Sequence, residues 1–280
     1  MKKSAVIIIT LILLSSFGFL VWFALTHSRG VPTVIEKPER LILEAAFIDK
    51  EISFKDGIAL DIWEALRAKE IKLMPQLMVQ PWPKNLTPLV LTKSFHNQKD
   101  IYFYLEWRDD TEDRQIEINK FSDACGIMFP LKDEVQPATI MMGFIGGANI
   151  WQWKAAQDKE FWLKEMPQTT AYADYHYPFE ESETLPVSKI VAKFSANDLL
   201  AIRAGTVTPK DTQVVEARGF FKEGVWRVVF KRRLKAESPE VDAVFSAGKK
   251  RLCGFAVWNG SNGDRGGRKS ISEFVELDVK

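Results

Sequence analysis

Short runs of apolar residues, alternating or continuous, recur from Leu41 to the C-terminus, and clusters of Gly, Pro, Asn and Asp separate them. That is the pattern of strands joined by turns. Strands are predicted over 41–47, 71–80 (broken at Pro75), 89–95, 100–107, 125–130, 138–143, 148–154, 190–194, 214–221, 225–234, 252–258 and 269–279. The clearest is 100–107, rich in aromatics and closed by Arg108-Asp109-Asp110-Thr111. Helical composition is confined to 61–66 and 158–165. Gly219-Phe220-Phe221-Lys222-Glu223-Gly224-Val225-Trp226 reads as a hairpin with a Lys-Glu-Gly turn. Roughly a dozen short strands with few short helices predict a mainly β fold, an antiparallel β-sandwich.

The last strand holds the one misfit. With period two, Lys269, Ile271, Val275, Leu277 and Val279 share a face, broken only by Glu273. Arg268, Ser270, Ser272, Glu276 and Asp278 take the other, with Phe274 the exception. Lys269 therefore falls on the face that the pattern sends inward. A buried lysine needs a partner, a lowered pKa or a metal, unless it sits at a strand end and snorkels to water.

Residues 5–25 are a nearly unbroken apolar run behind Lys2 and Lys3. Their length at ~1.5 Å per residue matches a bilayer core of ~30 Å, so residues 1–28 are expected to be one N-terminal transmembrane helix, with a cleaved signal peptide the rival. Residues 29–40 then form a linker, and 41–280 the domain, on the exported (periplasmic) side of the membrane. Removing Lys2 and Lys3 from the 38 basic residues leaves 36 against 37 acidic ones. That balance argues against a nucleic-acid partner.

Only two cysteines occur, Cys125 and Cys253, without a CxxC or CxxCH motif. This excludes a covalent c-type haem of the usual kind, a cysteine zinc site and a cysteine-ligated iron–sulfur cluster. The pair could form a disulfide or remain as buried thiols. The three histidines, His27, His96 and His176, stand far apart, and no GxSxG, HExxH, Walker A or dinucleotide fingerprint is present. Three features remain: Met141-Met142-Gly143 at a strand end, the Trp151-Gln152-Trp153 run with both indoles on one face, and Lys269. Taken alone, the methionines are core filler and the tryptophans a core pair or a sugar platform. A membrane-anchored carbohydrate-binding β-sandwich is accordingly the competing reading, with Trp151 and Trp153 stacking on sugars.

Four segments in this order carry a resemblance: Met142-Gly143; Ile150-Trp151-Gln152-Trp153-Lys154-Ala155; Gly224-Val225-Trp226-Arg227-Val228; and Phe255 to Gly260 with Asp264-Arg265-Gly266-Gly267-Arg268-Lys269-Ser270-Ile271-Ser272. From about Leu41 to Lys280 the chain resembles the haem-binding gamma subunit of ethylbenzene dehydrogenase type, found in type II dimethyl sulfoxide reductase family molybdoenzymes. The resemblance implies a β-sandwich with one non-covalent b-type haem (heme b), ligated by a methionine and a lysine. Carried over, these fall on Met142, with Met141 the fallback, and on Lys269. Trp151, Trp153 and Trp258 would wall the macrocycle, and Arg265 or Arg268 would pair with a propionate. The implied role is that of a non-catalytic cytochrome b-type electron-transfer subunit. It would relay electrons between the iron–sulfur subunit of a molybdopterin oxidoreductase and a cytochrome c or a quinone-linked partner.

Overall fold

The apolar runs become strands because each finds a neighbour and buries one face. The computed structural model describes residues 40–280 apart from 78, 79, 81, 83, 84, 118, 133–145, 165–191 and 204. The first strands are β1 (Ile42–Phe47), β2 (Lys69–Lys72), β3 (Met74–Pro75), β4 (Leu89–His96), β5 (Asp100–Arg108), β6 (Ala124–Pro130) and β7 (Ala148–Lys154). They are followed by β8 (Asn197–Ala201), β9 (Val207–Pro209), β10 (Glu216–Lys222), β11 (Val225–Arg233), β12 (Lys250–Trp258), β13 (Ser270–Ile271) and β14 (Val275–Val279). Two short helices, α1 (Leu60–Glu64) and α2 (Ala155–Leu163), complete the described elements.

The strands run in one continuous path, β10-β11-β5-β4-β1-β14-β12-β6-β7-β8-β9. The path folds back on itself at β12. Lys250 to Cys253 pair with β14, and Gly254 to Trp258 pair with β6, so one strand belongs to two layers. The core lies between those layers. Phe103 and Trp107 of β5 and Trp226 and Phe230 of β11 meet Phe129 of β6 and Trp151 and Trp153 of β7. Each of these fully buried aromatics contributes roughly 1.5–3 kcal/mol of transfer free energy, and the tilted and edge-on ring pairs suit their quadrupoles. A second cluster covers the other face of the first layer, where Ile52, Phe54, Ile58, Ile62 and Trp63 pack on Phe95, Tyr102 and Tyr104.

The β10–β11 hairpin closes as predicted. Lys222 pairs with Val225, and both turn residues, Glu223 (φ 54°) and Gly224 (φ 72°), are left-handed, as a two-residue primed turn demands.

Three expectations differ from the structure. The layers are mixed rather than antiparallel, because β1 runs parallel to both β14 and β4. Residues 269–279 form two strands in different layers: β13 pairs with β12 and β3, whereas β14 pairs with β1 and the first half of β12. Of the strand expected at 190–194, the described residues 192–194 are not in a strand, and the next strand is β8, where Asp198 is held by Asn149 and Lys210. Of the two states left open for Cys125 and Cys253, the structure shows the free, buried thiols, whose pKa values burial pushes well up. The predicted N-terminal span and the 138–143 strand lie outside the described residues. Among the described residues no helix is long and apolar enough to cross a membrane.

Candidate functional site

Cross-strand pairing assigns every side chain near Lys269 to a face. In β12, Cys253, Phe255 and Val257 point into the core. Val257 pairs with Ser270, and Ser270 and Ser272 are inward and fully buried. Their hydroxyls accept hydrogen bonds from the Thr87 and Phe255 N–H groups, at 3.1 and 2.8 Å. Alternation then places Lys269 and Ile271 with Ala256 and Trp258 on the outer face of the second layer. There Ile271 and Phe274 gather Met128, Leu252 and Ala256 into a separate apolar cluster, and Met74 of β3 stands opposite Ile271. So Lys269 does lie on an apolar face, but not on the core face that the single-strand reading implied.

The Lys269 ammonium lies 4.7 Å from the centre of the Trp258 ring and donates to Gly266 O at 3.4 Å. No carboxylate among the described residues pairs with it. Burial alone lowers its pKa from 10.5 to about 8. Gly266 sits at φ 52°, and its carbonyl also accepts the Trp258 indole N–H at 3.0 Å. Lysine and tryptophan therefore share one acceptor.

The loop between Trp258 and Lys269 is fastened from below. Gly260 N–H donates to Asp123 Oδ1 at 2.8 Å, and Asn259 Nδ2 donates to Asp109 Oδ1 at 2.8 Å. Asp264 Oδ2 accepts from Asn259 N–H at 3.2 Å, and Asn259 Oδ1 accepts from Asn262 N–H and the Ser261 hydroxyl. Asp123 Oδ2 reaches into the core, accepting the Trp226 indole N–H at 2.9 Å and Asp113 N–H at 2.7 Å. Burial, together with the neighbouring Asp109 charge, raises the Asp123 pKa to about 8. Burial raises Asp109 and Asp264 to about 6. Asp109 Oδ2, Asp264 Oδ1 and Arg268 Nε have no hydrogen-bond partner.

The predicted residues separate into groups. Lys269 and Trp258 touch, and Arg265 and Arg268 belong to the same loop. Arg265 stacks on Phe121 at 4.6 Å and donates to Gly263 O. Arg268 donates to Asn262 O at 3.1 Å, and its Nε lies 3.7 Å from Asp264 Oδ1. Trp151 and Trp153 are not with them. Both are fully buried on the core face, their N–H groups on Asn149 and Asp158, and the sheet separates them from Lys269. They also offer no surface to a sugar. Met141 and Met142 lie outside the described residues, as do His27 and His176. His96 is buried, with Nε2 against Lys280 O and Nδ1 accepting Gln98 N–H, so neither nitrogen is open to a metal. Among the described residues no group of three His, Cys, Asp or Glu side chains is placed to hold a metal ion. Sequence reasoning missed Asp109, Asp123 and Asn259. Only the Gly, Asn and Asp density of the loop hinted at a fastened turn.

The sequence model of the family described as ethylbenzene dehydrogenase matches residues 60–270, and the chain belongs to that family. It is 27% identical over 186 residues to a protein of Haloferax mediterranei named as a respiratory nitrate reductase heme subunit, covering 66% of this chain and 54% of that one. It is 23% identical over 173 residues to the chlorate reductase subunit gamma of Ideonella dechloratans, covering 61% of this chain and 56% of that one. The chain thus spans about half the length of the curated relatives it matches. Among solved structures, a family 9 carbohydrate-binding module of Caldicellulosiruptor kristjanssonii in complex with glucose matches with TM-score 0.44 and 10% identity, over 85% of this chain and 95% of that one.

Proposed function

We propose that this member of the ethylbenzene dehydrogenase family is a non-catalytic electron-transfer subunit that holds one b-type haem non-covalently between Lys269 and Met142, with Met141 the fallback. One observation carries the proposal: a lysine set on an apolar face without a carboxylate, its pKa drawn down to about 8. Only the neutral amine can bind iron. Moving the pKa from 10.5 to about 8 removes roughly 3.4 kcal/mol of the cost of deprotonation at neutral pH. The relatives named as a heme subunit and a gamma subunit support the same assignment.

The residues present suit the group. Trp258, Ile271, Phe274 and Met128 supply apolar surface on the Lys269 face. Arg268 suits a propionate better than Arg265, because its Nε, near Asp264, makes no hydrogen bond whereas Arg265 is stacked on Phe121.

When bound, haem iron cycles between two oxidation states and so passes one electron at a time. With two protein ligands no coordination position is left for substrate, which suits a carrier. The chain would relay electrons between the iron–sulfur subunit of a molybdopterin oxidoreductase and an external cytochrome c or quinone-linked partner. The site of action would be the exported side of the membrane, tethered through residues 1–28. The test is the absorption spectrum of haem-reconstituted protein, oxidised and dithionite-reduced, with a pyridine haemochrome assay. A low-spin spectrum is expected, and absence of a Soret band would end the proposal. Lys269→Ala and Met142→Ala should each abolish the low-spin form; if both keep it, the ligand assignment is wrong.

A further inference from the structure

We infer that Asp109 and Asp123, acting through Asn259 and Gly260, are positioning residues that set the approach of Lys269. This rests on the proposal that Lys269 would bind the haem iron. The loop 259–268 leaves the sheet at Trp258 and returns at Lys269, and strand pairing fixes only its ends. Between them the backbone closes turns and an Arg265–Arg268 bridge, but these bonds stay within the loop and do not tie it to the sheet. Two buried carboxyls from outside the loop supply the tie. Asp109, at the end of β5, takes the Asn259 amide, and Asp123, one residue before β6, takes Gly260 N–H, each at 2.8 Å. The seat is close-fitting: a Cβ on Gly260 would stand 1.9 Å from Phe121 O. Asn259 passes the constraint onward, its own N–H and C=O closing on Asp264 and its side chain holding Ser261 and Asn262. Gly266, which orients both Trp258 and Lys269, is carried by the same loop.

A loop that had only to close would use water. Burying Asp109 and Asp123 is costly, as their raised pKa values attest. Buried polar groups of this kind trade stability for a defined geometry, and the groups behind metal ligands act in this way. Here the geometry defined is that of the lysine.

The experiment is an acid titration of the low-spin absorption band in the haem-reconstituted full chain. A proton competes with iron for the lysine, so a tenfold loss of ligand affinity moves the acid midpoint up by about one pH unit. Asp109→Ala and Asn259→Ala should raise the midpoint by about one to two units, the ~10–100-fold usual for groups behind a ligand. Asp109→Asn keeps the Oδ1 acceptor and should titrate like wild type. Wild-type midpoints in both alanine variants would overturn the inference. So would equal shifts in Asp109→Asn and Asp109→Ala, since charge rather than geometry would then be responsible. If the alanine variants do not fold, Asn259→Asp decides by the same criterion, because it keeps the Oδ1 that accepts from Ser261 and Asn262 and removes only the amide that donates to Asp109. Lys269→Ala separates the two levels. If it keeps the low-spin band, the ligand assignment falls and the positioning role with it; if it loses the band while the other variants titrate normally, only the positioning role falls.

Discussion

Replacing Lys269 with methionine should make the haem-free protein more stable while removing the proposed lysine ligand. Burial holds the Lys269 pKa at about 8, against 10.5 for a free lysine, so the folded state carries the ammonium at a cost. The difference corresponds to at most about 3.4 kcal/mol. The Trp258 face returns about 0.5–2 kcal/mol of this as a cation–π contact, leaving a net penalty of about 1–3 kcal/mol. Methionine, similar in length and uncharged, should recover that penalty, raising Tm by about 3–8 °C for a domain of this size. The sign changes with pH in a defined way. Below pH 8 the lysine is charged in both states and the full penalty applies. Between 8 and 10.5 the folded state has released its proton and the unfolded state has not, so wild-type stability rises with pH. The advantage of Lys269→Met should therefore be largest at pH 6–7 and should vanish by about pH 10.5. Urea unfolding of both proteins at pH 6, 7, 9 and 10.5 measures it. A variant less stable at pH 6–7, or an advantage that does not change with pH, would refute the electrostatic account of this residue.

Three further outcomes are expected. Gly260→Ala should lower stability by about 3 kcal/mol or more, because its Cβ falls on the Phe121 carbonyl rather than on a side chain able to move; thermal melts will show it. Trp226→Phe removes one of three donors from the buried Asp123 carboxylate and leaves a gap among Trp107, Trp153 and Phe221, so urea unfolding should register a loss of about 2–4 kcal/mol. Wild-type stability should fall as pH rises from about 4 to 8. Asp109, Asp123 and Asp264 hold protons in the folded state after the unfolded chain has lost them, and Asp158 and Asp198 push the same way, against opposite shifts at Glu51 and Asp242. A flat profile from pH 4 to 8 would show that these carboxyls are better solvated than their burial implies.

Much of the fold was legible because alternation survives wherever a strand has one buried face. β4, β5, β7, β11 and β12 fall within two residues of their predicted bounds. The failures are instructive. Residues 269–279 showed two exceptions to period two, Glu273 and Phe274, and these mark the place where the chain leaves one layer for the other. The exceptions were the signal, and treating them as noise put Lys269 on the wrong face while leaving it correctly among apolar neighbours. Trp151 and Trp153 do share a face, as expected, but period two does not say which side of a sheet lies against the second layer. Asp109 and Asp123 were invisible for another reason. Their roles come from partners far along the chain, Asn259 and Gly260, and no local spacing records such a meeting.

The strand shared by both layers also orders how the molecule is assembled. β12 and β14 lie near the end of the chain, yet β12 joins the two layers and β14 is the parallel neighbour of the first strand, β1. Until the C-terminal thirty residues are present, β1 has one side empty and the two halves of the domain have no common strand. Contacts of such sequence separation close late and slowly, and the transient edges they leave invite wrong pairing. The segment that bears Lys269 is thus also the one that joins the two layers.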